Sequence, residues 1–134
     1  MKVILDANII IAASAARGVC EAVFELCLEQ HELIICESLL REIDVKLRHK
    51  IKVPAPVVAE YLQLLRSNAE ILMPLAVDPQ SCRDPDDLMI LGLVSPGNVE
   101  VVVTDDKDLL VLGSYKEVPI ITPREFWEQE GRSR

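Results

Sequence analysis

Two of the most apolar segments of this 134-residue chain end directly in carboxylates: Asp6 follows Val3-Ile4-Leu5, and Thr104-Asp105-Asp106 follows Val99-Glu100-Val101-Val102-Val103. A carboxylate at the end of a buried strand needs a partner, because an isolated charge away from water is costly. Glu42 lies one turn into a segment of helical periodicity, and Asp87 lies at the start of a very apolar one. Where such acids converge, their like charges must raise one another's pKa or take up a cation. A hard divalent cation, Mg²⁺ or Mn²⁺ and one ion or two, favours oxygen donors, keeps several waters and suits phosphodiester hydrolysis.

Each acid also has a plainer reading. Asp84 before Pro85 reads first as a helix cap, and Asp87 has less claim to that role because Asp84 already fills it. One or two of Asp105, Asp106 and Asp108 read as turn or cap residues. Glu42 taken alone is an ordinary helix-surface acid. The basic run Lys46, Arg48, Lys50 and Lys52 either meets substrate phosphates or complements the carboxyl end of a helix. His31 and His49 read as loop and helix-end residues, and two histidines with no matching serine arrangement do not make a hydrolase triad. Phe126 and Trp127 read as the anchors of a last helix, or as a partner surface if exposed.

The positions of these acids depend on the elements around them. Val3-Leu5 reads as a short buried strand. Val19, Ala22, Val23, Leu26 and Cys27 share one face of a helix running to Gln30. Leu33-Cys36 is a second strand, and Ser38 is the expected cap of a helix striped by Leu39, Leu40, Ile43 and Leu47. A further helix starts at Pro54-Pro56 and runs to Ser67-Asn68, and Ile71-Met73 is a candidate strand. Asp84-Pro85 opens a helix whose Leu88–Val94 segment should be buried, and Pro96-Gly97-Asn98 turns the chain. Val99–Val103 is β-branched enough to be a central strand. After a break at Gly113-Ser114, Val118–Ile121 forms another strand, and Thr122-Pro123 caps a final helix through Glu130. Strands separated by helices need crossover connections, which predicts a three-layer α/β/α sandwich around a parallel sheet. Ligands of such sheets bind beyond the carboxyl ends of the strands, where Asp6 and the Thr104-Asp106 group both fall.

Size and composition agree with this. The length suits one domain over residues 1–134, with no internal repeat or low-complexity tract. The apolar half of the residues occurs in short runs, none near the roughly 20 needed to span a membrane. Met1-Lys2 and the apolar stretch up to Ala13-Ser14-Ala15 imitate a signal peptide, but Asp6 and Asn8 interrupt it, and a cytoplasmic location is expected. Cys20, Cys27, Cys36 and Cys82 form no Cys-x-x-Cys pair and have no histidine at ligand spacing, so reduced thiols are expected rather than zinc or redox chemistry. A net charge of -8 counts against a basic-patch DNA binder, yet is compatible with a nuclease whose acids are masked by cations.

Asp6-Ala7-Asn8, Ser38-x-x-x-Glu42, Cys82-Arg83-Asp84-Pro85-Asp86-Asp87 and Thr104-Asp105-Asp106-Lys107-Asp108-Leu109-Leu110 together resemble the PIN-domain signature over nearly the whole chain. Within it the chain is most similar to VapC-type toxins of toxin–antitoxin systems. The resemblance implies Asp6, Glu42, Asp87 and Asp106 as the metal-binding and catalytic acids. It makes Asn8 and Thr104 residues that orient ligands or water, and Asp108 an accessory acid. It further implies an Mg²⁺- or Mn²⁺-dependent endoribonuclease, often a homodimer, restrained by a small antitoxin protein. With RNA as substrate, Arg83, Lys46 and Lys50 are candidate phosphate contacts. Asp105 stands where relatives carry a small residue, which leaves the choice between Asp105 and Asp106 open, and Leu88 replaces a common polar residue.

Three other readings compete. Asp6-Ala7-Asn8 after a strand is faintly similar to phosphatases that form an aspartyl-phosphate, but those need an acid where Asn8 stands. A receiver-like phosphoacceptor would need a late lysine after a strand, for which Lys107 is poorly placed. The non-enzymatic alternative is a catalytically silent PIN fold that binds RNA or protein; retention of all four acids argues against it, because an unused buried cluster only destabilises the fold.

Overall fold

The computed structural model describes residues 1–133. Its centre is a six-stranded, mostly parallel sheet flanked by helices, with strand order β3-β2-β1-β4-β6-β5. The strands are β1 (Lys2–Leu5), β2 (Glu32–Ile35), β3 (Ala69–Ile71), β4 (Val101–Val103), β5 (Ser114–Tyr115) and β6 (Val118–Ile121). The helices are α1 (Ala7–Ala15), α2 (Val19–Gln30), α3 (Glu37–His49), α4 (Ala55–Asn68), α5 (Leu88–Val94), α6 (Lys107–Leu110) and α7 (Pro123–Ser133). The chain leaves β1 toward β2 and β3, then crosses back to lay β4 on the other side of β1. Right-handed crossovers in opposite directions place their helices on opposite faces, which gives the layered α/β architecture expected from the sequence.

The reversal falls between β1 and β4, which pair in parallel with Leu5 opposite Val103. Both strands are buried from Val3 to Leu5 and from Val101 to Val103, so β4 is central as its β-branched run demands. The chain therefore emerges from two neighbouring strands into one crevice, at Asp6 and at Thr104.

Several elements differ from expectation. The apolar stretch after Asp6 is helix α1, with Ala7, Ile9, Ile10, Ile11 and Ala13 all buried. Ser38 does not cap α3; Cys36 occupies that position and Ser38 lies inside the first turn. The third strand is Ala69–Ile71 rather than Ile71–Met73, and Met73 is exposed. Asp84 caps a single 3₁₀ turn, Pro85–Asp87, which runs straight into α5. Ser114-Tyr115 adds the antiparallel strand β5, joined to β6 across Lys116 and Glu117, both at positive φ. That is the two-residue hairpin geometry usually given to Asn-Gly or Asp-Gly.

Other expectations hold. Thr122 and Glu125 cap α7 reciprocally, the Thr122 N–H donating to Glu125 Oε1 at 3.0 Å and the Glu125 N–H to Thr122 Oγ1 at 3.1 Å. Phe126 is fully buried and meets His31 edge-on at 5.7 Å, docking α7 on α2, while Trp127 is partly exposed. His31 ends α2, and its ring ties the amino terminus to Glu130 of α7. All four cysteines are free, and burial pushes the Cys27 thiol up to about 12. Gly92, buried within α5, lets the Leu75 backbone donate to its carbonyl at 2.9 Å; a Cβ there would collide with the Leu75 carbonyl oxygen.

Candidate metal centre

Asp6 occupies the cap position of α1, yet its carboxylate receives no bond from that helix. It faces across the sheet instead, where the fully buried Thr104 hydroxyl donates to Asp6 Oδ2 at 2.7 Å. The same Thr104 oxygen accepts the Asp106 N–H at 3.0 Å. One hydroxyl thus links the acid after β1 to the acid after β4, and fixes both relative to the sheet. Burial pushes the Asp6 carboxyl above its ordinary range; the Thr104 bond opposes this, and the charges of Glu42, Asp106 and Asp105 add to it.

Asp87 joins them from the junction of the 3₁₀ turn and α5. It is only 6% exposed, it does not cap the helix that follows, and its Oδ2 is buried without a hydrogen-bond partner. Burial and the neighbouring carboxyls of Asp106, Asp6 and Asp84 push it to about 8. A buried oxygen with no partner is a cost that a folded protein rarely leaves without a use. Hard oxygen donors around such an oxygen fit a divalent cation.

Asp6, Glu42, Asp87 and Asp106 line one cavity of about 530 Å³ at the carboxyl edge of the sheet, together with Asn8 and Asp84. Four distant segments therefore meet at one place. Asp106 lines the cavity and Asp105, which is exposed, does not. Asp106 still caps α6, accepting the Asp108 N–H at 2.8 Å, and Asp84 accepts the Asp86 N–H at 3.0 Å. Capping and a place in the cavity are thus compatible in both residues. One carboxylate oxygen each from Asp84, Asp87 and Asp108 lies within 4.8 Å of the others, so Asp87 belongs to both groups.

The basic candidates separate. Lys46 projects into the cavity and donates to Glu42 Oε2 at 2.9 Å, and the Glu42 bond holds its ammonium above the ordinary lysine range. Lys50 is exposed at the carboxyl end of α3, and Arg83 is exposed in the loop before Asp84; neither lines the cavity. Ser38 and Asp86 line it without having been marked for that role in the sequence. Asp86 is the more visible of the two, since it sits inside the acidic run.

The strand order of this layered α/β fold reverses beneath a carboxylate-lined crevice, the place where open parallel sheets bind their ligands. The chain belongs to the PIN domain family, whose model matches residues 2–108. Among solved structures, the fold is similar to a chain in the crystal structure of VapBC2 from Rickettsia felis bound to a DNA fragment from their promoter. The TM-score is 0.62 at 15% identity, covering 91% of this chain and 98% of that one. No curated protein sequence matches.

Proposed function

We propose that the chain is an Mg²⁺- or Mn²⁺-dependent endoribonuclease, the toxin of a toxin–antitoxin pair. The observation that carries this reading is the meeting of Asp6, Glu42, Asp87 and Asp106 in one cavity around an unpartnered buried carboxylate oxygen. In it, Asp6, Asp87 and Asp106 hold one or two cations from the floor and Glu42 holds them from α3. Thr104 orients the Asp6 carboxyl and favours its ionised form against the effect of burial. Asn8 orients substrate or water at the rim, and Asp84 and Asp108 serve as accessory acids beside Asp87. The bound cation supplies charge neutralisation, activation of water and stabilisation of the leaving oxygen. Exposed Arg83 and Lys50 guide the RNA backbone outside the cavity.

The likeness to a VapBC2 structure supports a small antitoxin as partner. The protein works in this reading as a cytoplasmic homodimer. Among the described residues, no helix is long and apolar enough to cross a membrane.

Incubation of a mixed RNA pool with Mn²⁺, resolved on a gel, tests the assignment. Cleavage should appear with wild type, vanish in chelator, return with added Mn²⁺ or Mg²⁺, and be lost in Asp6→Asn. Retention of RNA with no cleavage would instead identify a catalytically silent PIN-fold binding module, and cleavage persisting in chelator would refute the metal mechanism.

A further inference from the structure

Among the described residues, Lys46 is the only cation lining the acid cavity, which Asp6, Glu42, Asp84, Asp86, Asp87 and Asp106 also line. Its Nζ donates to Glu42 Oε2 at 2.9 Å and reaches Asn8 Oδ1 at 3.5 Å. Glu42 lies one turn before it on α3, but Asn8 belongs to α1, so the ammonium bridges two elements across the cavity mouth. An ordinary helix-surface pair is available for comparison on the same helix. Arg48 and Asp44 pair at 2.7 Å with the same four-residue spacing, and neither lines the cavity.

The oxygen that holds Lys46 belongs to a carboxylate assigned to the metal. With its ammonium 2.9 Å from Glu42 Oε2, Lys46 places a positive charge where a divalent cation would ligate, so the two compete for the same carboxylate. The lysine stem is long and flexible, and its ammonium is a point charge that can be moved without rebuilding the site. An RNA phosphate arriving at this cavity meets a surplus of carboxylates, and Lys46 is the side chain there that can attract it.

We propose that Lys46 is a tethered cation that holds Glu42 until a divalent cation takes the carboxylate, and then transfers its ammonium to a phosphate of the RNA substrate. This rests on the ribonuclease reading of the cavity. It predicts opposite effects of one substitution on two ligands. Lys46→Met keeps the stem and removes the charge. It should bind Mn²⁺ about threefold more tightly, because a partly exposed ion pair of modest strength no longer competes. The same variant should bind RNA more weakly, with the slope of log affinity against log salt shallower by about 0.7, the loss of one single-strand phosphate contact.

Mn²⁺ titration calorimetry on wild type, Lys46→Met and Arg48→Met tests the first half. Fluorescence anisotropy of a labelled single-stranded RNA in Ca²⁺, over a series of salt concentrations, tests the second. Tighter Mn²⁺ binding in Lys46→Met alone, with the shallower RNA slope, supports the tethered cation. Mn²⁺ affinity unchanged in Lys46→Met, or an RNA salt slope equal to wild type, overturns it and leaves a helix-surface pair. Failure of wild type to bind Mn²⁺ overturns the ribonuclease reading instead, and is distinguishable because it appears before any substitution is made.

Discussion

Thr104 donates its hydroxyl to Asp6 Oδ2 at 2.7 Å, in the buried gap where β1 and β4 end side by side. The bond spans 98 residues of sequence, yet it needs only the parallel register of two neighbouring strands. It opposes, without cancelling, the rise that burial gives the pKa of a carboxyl only 5% exposed.

Thr104→Val preserves the shape and removes that donor. Asp6 then loses the hydrogen bond that lowers its pKa, and binds a cation less readily near neutral pH. Partners that orient metal ligands are commonly worth about 10–100-fold in metal affinity, so Mn²⁺ calorimetry should show a loss of at least about tenfold. Thr104→Ser should recover most of it. Equal affinities in wild type and Thr104→Val would contradict the role given to the hydroxyl.

The Asp87 carboxyl is raised to about 8 from an ordinary value of 3.8. Between those values the metal-free folded protein holds a proton that the unfolded chain has released. Stability therefore falls as pH rises through this window, and burial of Asp6 acts in the same direction. Thermal melts in chelator should show wild type losing stability from about pH 5 to about pH 8, with a flatter profile for Asp87→Asn. Parallel profiles would show that Asp87 is not the group responsible.

Mn²⁺ should reverse that loss. A ligand that binds only the folded state stabilises it by about 2.7 kcal/mol at 100 times its dissociation constant. At pH 8, wild type should melt higher with Mn²⁺ than with chelator, while Asp87→Asn should be nearly indifferent and should exceed wild type in chelator. Equal Mn²⁺ stabilisation of both proteins would place the ion elsewhere.

Gly92→Ala tests the packing beneath the site. The added methyl meets the Leu75 carbonyl, and the segment around Pro74-Leu75 must move away from α5. A cost of about 1–3 kcal/mol is expected for such overpacking. Urea denaturation measures it, and a change below about 0.5 kcal/mol would show that the loop yields freely.

The parts of the fold legible in the sequence are those where one face is buried and the other is wet. Helix α3 is the clearest case, with Leu39, Leu40, Ile43 and Leu47 buried between charged neighbours. Helix α1 has no such contrast. Ile9, Ile10 and Ile11 are consecutive and all buried, so no periodicity survives to mark a helix, and the stretch imitates a signal core. The β5–β6 hairpin was hidden for another reason: Lys116 and Glu117 adopt positive φ without a glycine or asparagine to advertise the turn. The acids were more legible than the elements, because Asp6 and Thr104-Asp106 follow apolar strands whose carboxyl ends must face one crevice. What stayed hidden was which neighbour serves which acid. The approach of Asp108 to Asp84 and Asp87 depends on α6, a single short helix, and the reach of Lys46 to Asn8 depends on α1.

Diffraction from crystals soaked in Mn²⁺, recorded where manganese scatters anomalously, tests the shared-cation site most directly. The anomalous map should place one or two peaks against the carboxylates of Asp6, Asp87 and Asp106, with Glu42 turned toward them and away from Lys46. A cavity without a peak in crystals that bind Mn²⁺ at other positions would contradict the site.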